Sequence, residues 1–185
     1  MEKIVFHGTY SDDIEKTKES ILKNGFTYKR RENHWLGQGI YFFDEYEWAV
    51  MWANQKRNNE SCVVQAKIFC DDNEFLNLDL VSSQKIVADC IKEINRELKK
   101  ELYTPIFNDD NQKRCFYLDI IKENRNFKII KHTFYLPNKN RITKEIGIGL
   151  SQIQFCVSSN DNICDITIKE ENKRVLKTKK RLIIG

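Results

Sequence analysis

Apolar and polar positions divide the chain into short, regular pieces. Lys3 to Thr9 alternates around Val5 and ends on His7-Gly8-Thr9, which predicts a strand. Ser11 or Asp12 is placed to cap a helix running to Lys23, with Ile14, Ile21 and Leu22 on one side. Asn24-Gly25 ends that helix, glycine serving as a left-handed cap. Phe26 to Leu36 is polar and irregular, and Gly39 to Phe43 reads as a short apolar strand. Asp44 or Glu45 then opens a helix carrying Trp48, Ala49, Trp52 and Ala53 at helical spacing. Strands follow over Ser61 to Cys70 and Phe75 to Leu80, and helices over Ser83 to Leu102 and Gln112 to Lys122. The last third is β-rich, with Phe127 to Tyr135, Gly147 to Val157 and Ile163 to Ile168. The pattern predicts a single α+β domain over residues 1–185 without repeats or linkers.

Composition narrows the class. At 41% hydrophobic and 31% charged residues, the chain has the balance of a soluble globular domain and not of a disordered one. No apolar run is long enough to span a bilayer, and Met1-Glu2-Lys3-Ile4 passes straight into the first strand without an apolar leader. A cytoplasmic protein with no membrane partner is expected. Six cysteines lie scattered without a Cys-x-x-Cys pair, most of them in apolar stretches, so they read as reduced core thiols and no metal site is expected. The net charge of +4 is uneven. Residues 169–185 hold seven basic residues against Glu170 and Glu171, so this basic C-terminal segment carries +5 and the remainder −1. It suits either contact with phosphates or an acidic partner, or simply a solvated terminus.

Candidate chemistry enters through His7-Gly8-Thr9 after a strand, Gly25-Phe26 after a helix, and Leu36-Gly37-Gln38-Gly39-Ile40-Tyr41-Phe42-Phe43 before a helix rich in Ala and Trp. In this order, with His7 and Tyr41 34 residues apart, residues 4–53 resemble the ADP-ribosyltransferase superfamily, in its poly(ADP-ribose) polymerase and diphtheria-toxin-like clade. The resemblance implies a fold of two packed β-sheets with flanking helices around a split NAD cleft. It implies NAD as co-substrate, with His7 bonding a ribose hydroxyl, Gly8 presenting its backbone to the carboxamide, Thr9 bracing the strand or His7, and Gly39 among the NAD-binding residues. Tyr41 would stack on the nicotinamide ring. Trp52, eleven residues beyond Tyr41, falls where relatives place a second aromatic over that ring. Trp48 and Trp52 read equally well as two core residues. Ala49 sits where relatives often carry a carboxamide-binding serine. Catalysis by such a site rests on clamping nicotinamide and stabilising an oxocarbenium-like transition state, without a covalent intermediate.

The third catalytic position departs from the family pattern. Relatives with polymerase activity carry a glutamate at the start of a late strand. Here that strand reads Leu150-Ser151-Gln152-Ile153-Gln154-Phe155, with Ile153, Phe155 and Val157 forming one core face. Gln152 is taken as the third residue, with Ser151, Gln154 and Glu145 as alternatives. A neutral amide keeps a hydrogen bond but loses a carboxylate able to activate an acceptor, so single transfer is expected and chain elongation is not. Lys29-Arg30-Arg31 lies beside the expected NAD mouth, where Arg31 would meet the NAD pyrophosphate or an acceptor phosphate. A solvated loop is the competing reading. The resemblance thus implies a mono-ADP-ribosyltransferase acting on RNA, DNA or protein, of bacterial toxin–antitoxin or anti-phage type, restrained by an antitoxin or inhibitor protein. The alternatives are an inactive NAD-binding module, an RNA 2′-phosphotransferase-like enzyme, or an NAD glycohydrolase.

Overall fold

A computed structural model of the chain describes residues 1–56, 59–136 and 149–169. Strand β1 (Glu2–Ser11) leads into helix α1 (Ile14–Asn24). The cap is Asp13, whose carboxylate accepts from the Lys16 N–H at 3.0 Å, not Ser11 or Asp12. Ser11 is still paired within the sheet, and Asp12 accepts from the Asn59 side chain at 2.6 Å, so neither is available. Gly25 closes α1 at a positive φ of 77°, its N–H on the Ile21 carbonyl, but with ψ −168° it is extended and not the left-handed helical cap expected. Strand β2 (Ile40–Phe43), helix α2 (Tyr46–Ala53) and strand β3 (Glu60–Phe69) follow. Strand β4 (Phe75–Asn77) is shorter than its apolar pattern. Its chain turns at once, the Leu80 N–H bonding the Asn77 carbonyl at 3.1 Å. Helix α3 (Val81–Lys100), helix α4 (Asp110–Arg125) and strands β5 (Ile129–Tyr135), β6 (Ser151–Val157) and β7 (Ile163–Lys169) complete the order. The beginning of the strand predicted from Gly147, Glu145, and the basic segment beyond Lys169 lie outside the described residues.

Among the described residues seven strands form one mixed sheet in the order β4-β5-β6-β2-β1-β3-β7, and of these pairs only β4 and β5 run parallel. The two packed sheets implied by the resemblance are therefore replaced by one hydrogen-bonded sheet. Its weak joint is central. β1 pairs with β3 along its whole length, from Glu2 opposite Phe69 to Ser11 opposite Glu60, but with β2 only at Phe6 and Phe43.

The sheet carries a core on each face. Val5, Ile40, Phe42, Val64, Phe155 and Val157 pack with Ile14 and Ile21 of α1 and with Phe26. On the opposite face Phe43 and Val63 meet Trp48 and Ala49 of α2, while Leu76, Ile130 and Cys156 meet Leu118 of α4. α3 is a second layer on α4, through Cys90, Ile94, Tyr117 and Ile121. Five of the six cysteines are buried, and Cys164 is half-buried. No helix among the described residues is long and apolar enough to cross a membrane.

Candidate active site

The His7 ring reaches the Tyr41 backbone across the sparsely paired joint of β1 and β2, while the two side chains leave opposite faces of the sheet. Strand alternation turns the His7 side chain toward the α1 face, where it packs edge-on to Phe26 (5.1 Å) and Phe42 (5.7 Å). Its Nδ1 donates to the Tyr41 backbone carbonyl at 2.8 Å, supplying across the joint a bond that the strand ladder does not make there. A carbonyl only accepts, so Nδ1 carries the proton and Nε2 presents its lone pair. Burial pushes the His7 pKa below its ordinary value, against the opposing pull of the Tyr41 carbonyl, which keeps the ring neutral. Among the described residues Nε2 has no hydrogen-bond partner.

Gly8 is fixed by packing. A Cβ there would lie 2.1 Å from the Ala49 carbonyl oxygen of α2, so the helix backbone rests directly on the strand. Ala49 and Ala53, both fully buried, are the small residues on the helix side of this contact. Thr9 continues β1 opposite Cys62.

Tyr41 belongs to the α2–α4 face, in line with Cys156 on β6. Its hydroxyl donates to the Gly37 carbonyl and accepts from the Leu36 N–H, both at 2.7 Å, and burial pushes its pKa far up. The loop it anchors is clamped in turn to α4. Gln38 N–H donates to Asp119 at 2.6 Å, and the buried Lys122 ammonium bonds both the Gln38 carbonyl and, at 3.2 Å, Asp119. Gly37 (φ 84°) and Gly39 (φ 157°) are required here. A Cβ on Gly37 would meet Asp119 at 2.5 Å, and one on Gly39 would meet the Cys156 sulfur at 2.6 Å. One face of the Tyr41 ring is covered by His34, stacked at 5.4 Å and 22°, whose Nε2 donates to the Lys29 carbonyl at 3.0 Å.

The two tryptophans separate. Trp48 is 7% exposed and belongs to the core, whereas Trp52 is 43% exposed and lies tilted 6.3 Å from Phe43. On β6 the register sets Ile153, Phe155 and Val157 toward the α1 core as expected, and Ser151 lies on that same face. Gln152 and Gln154 therefore share the face of Tyr41. Gln154 is 5% exposed and donates to the Gln152 side chain at 2.8 Å. Arg31 is not brought to His7. Its backbone bonds Gln38, and it lines, with Arg30, Gln38, Tyr103, Cys115 and Asp119, a separate cleft of about 580 Å³ against α4.

Sequence reading missed the polar cluster on β5. His132, opposite Gln154, bonds Asp79 through Nδ1 at 2.8 Å. Asp79 also accepts from the Thr133 N–H (2.9 Å), the Thr133 hydroxyl (2.6 Å) and the Lys131 ammonium. Burial alone would raise the Asp79 pKa, but these donors outweigh it and hold the carboxyl well below the usual range. Next to it Phe134 contacts His132 (4.7 Å), Trp35 (4.8 Å) and the Arg114 guanidinium (5.7 Å). His132 and Asp79 are 53 residues apart, and no local spacing connects them. No group of three or more His, Cys, Asp or Glu suited to a metal ion occurs among the described residues.

No protein-family model matches the chain, and no solved structure does. A curated relative, "Uncharacterized protein MJ0359" of Methanocaldococcus jannaschii, is 29% identical over 99 residues, spanning 49% of this chain. The match spans 44% of the relative, less than half its length.

Proposed function

We propose that the protein is an NAD-dependent mono-ADP-ribosyltransferase with a macromolecular acceptor. The observation that carries this reading is the state of His7: neutral, oriented by the Tyr41 carbonyl, with an Nε2 lone pair ready to accept from a hydroxyl. A ribose hydroxyl is the donor it suits. The motif resemblance over residues 4–53 supplies the co-substrate, and the single ladder pair between β1 and β2 leaves the strand edges beside His7 without regular pairing. In this reading His7 holds the nicotinamide ribose, Gly8 lends its backbone to the carboxamide, and Tyr41 stacks on the ring once His34 leaves it. Trp52 closes over the ring from α2 and Gln152 bonds the ribose from β6; because Tyr41, Gln152 and Trp52 leave the sheet face opposite to His7, this requires the strands to part at the sparsely paired β1–β2 joint. Bond breaking then rests on position and on stabilising positive charge at C1′, with neutral nicotinamide as leaving group.

The acceptor is proposed as RNA, DNA or protein, and the setting as a cytoplasmic toxin or defence effector restrained by a protein inhibitor. A second reading, an NAD-binding module without transfer, draws support from the Gln152–Gln154 pair in place of a carboxylate and from His34 seated on Tyr41. Incubating the protein with labelled NAD and separate pools of RNA, DNA and cell protein distinguishes the two. The transferase reading expects label on one pool, lost with His7→Ala. NAD bound but never consumed is the outcome of the module reading.

A further inference from the structure

The cleft that carries Arg31 away from His7 has no part in the reading above, and its two walls differ in chemistry. One wall is the loop before β2. The Arg31 N–H donates to the Gln38 side-chain oxygen at 3.2 Å, and the Arg31 carbonyl accepts from the Gln38 amide. Gln38 is itself clamped to α4 through Asp119 and Lys122, so the backbone under the arginine is fixed. The Arg30 and Arg31 side chains are exposed and have no hydrogen bond or ion pair among the described residues. The other wall is the segment joining α3 to α4. Phe107 anchors it on Phe116 (5.3 Å) and Tyr117 (6.0 Å), while Tyr103 and Ile106 stay 55% and 88% exposed. Large apolar side chains left in water around a concave site mark a surface that a ligand covers. Gln112 ties the walls together, donating to Glu32 at 2.9 Å and accepting from the Asn108 N–H at 2.7 Å. One glutamine side chain spans the walls there, so a ligand the length of a nucleotide touches both.

The carboxylates of the cleft do not use up its cations. Asp119 is taken by the Lys122 ammonium and the Gln38 N–H, which leaves Arg30 and Arg31 against Glu32 alone. A guanidinium fork matches two oxygens of a phosphate in one plane. The facing wall offers an aromatic ring and apolar surface to the flat side of a base. The volume, about 580 Å³, is that of a site for a small organic ligand. A duplex hides its base faces in its own stack, so the form that fits is a free or single-stranded nucleotide. We propose that this cleft binds a nucleoside phosphate, with the phosphate on Arg30 and Arg31 and the base against Tyr103 and Ile106. The site is separate from His7 and does not depend on the transferase reading. A free nucleotide and a nucleotide within a single strand present the same chemistry to it.

The test titrates nucleoside 5′-monophosphates, and short mixed-sequence single strands of RNA and DNA, into wild type, Arg30→Gln, Arg31→Gln, Tyr103→Ala and His7→Ala by calorimetry. All three cleft side chains are exposed, so their variants should fold, which circular dichroism checks. Expected is saturable binding by wild type, weakened about ten-fold or more in each arginine variant. Tyr103→Ala should weaken it about five-fold or more, the loss of one stacked base. Adenosine and inorganic phosphate alone should each bind at least about ten-fold more weakly than the monophosphates, and added salt should lower every affinity that includes a phosphate. Tighter binding of the strands names a single strand as the source of the nucleotide, and equal binding names the free nucleotide. No binding of any nucleotide by folded wild type overturns the site, as does binding that the three cleft variants leave unchanged. Inorganic phosphate binding as tightly as the nucleotides leaves only an anion site and overturns the base contact. Binding lost in His7→Ala and kept in the cleft variants places the nucleotide at the β1–β2 joint and overturns the cleft.

Discussion

The two sides of β1 differ. Toward β3 the strand is paired from end to end, and its alternating Val5, His7 and Thr9 lie opposite Ala66, Val64 and Cys62 in regular register. Toward β2 the ladder survives at Phe6 and Phe43 alone, and the His7 ring bridges to the Tyr41 carbonyl. The difference separates what holds the fold from what is free to act. Where backbone pairs with backbone, the side chains only need to pack. Where the ladder stops, one side chain takes over a backbone partner, and its second nitrogen remains uncommitted.

The largest way to break this contrast is to remove the packing that sets the joint. Gly8→Val forces side-chain atoms into the Ala49 carbonyl, already 2.1 Å from an added Cβ, and should cost about 3 kcal/mol or more in urea unfolding. Lys122→Met removes the buried ammonium that holds the Gln38 carbonyl and Asp119, freeing the loop beneath Tyr41. Because Asp119 is partly exposed, the loss should be about 2–3 kcal/mol, below that for a fully buried pair. His7→Asn should change stability less at neutral pH and change its pH dependence instead. Burial lowers the folded-state pKa of His7, so stability from the neutral ring is complete above the ordinary value and is lost as pH falls through the lowered one. Unfolding curves between about pH 7 and 5 should therefore be flatter for the variant than for wild type. The smallest effect belongs to His34→Ala, which uncovers one face of Tyr41. Removing a stacked ring that competes with nicotinamide should tighten NAD binding about two- to ten-fold.

How much of this was legible in sequence follows from range. The strands and helices declare themselves through local periodicity: Trp48, Ala49 and Ala53 are buried at the spacing their pattern gives. The pattern could not tell Trp48 from Trp52, because a short helix with apolar residues on several sides does not say which side the sheet covers. Nor could it show that Gly8, Gly37 and Gly39 answer to the distant atoms of Ala49, Asp119 and Cys156. Asp119 and Lys122 look like an ordinary surface pair on a helix, and only the Gly37–Gly39 loop lying over α4 buries them. The same limit hid Asp79 from His132, whose juxtaposition depends on the parallel pairing of β4 with β5. His7 reaches the Tyr41 backbone carbonyl, a contact no motif specifies, while the two side chains leave opposite faces of the sheet, which motif order does not reveal.

The most direct test of the central claim is a calorimetric titration of NAD into the wild-type protein and into His7→Ala. The account predicts saturable binding by wild type and at least about ten-fold weaker binding by a variant that still folds, the loss of a hydrogen bond held in place beforehand. Equal affinity in the two proteins, or no binding by either, would contradict it.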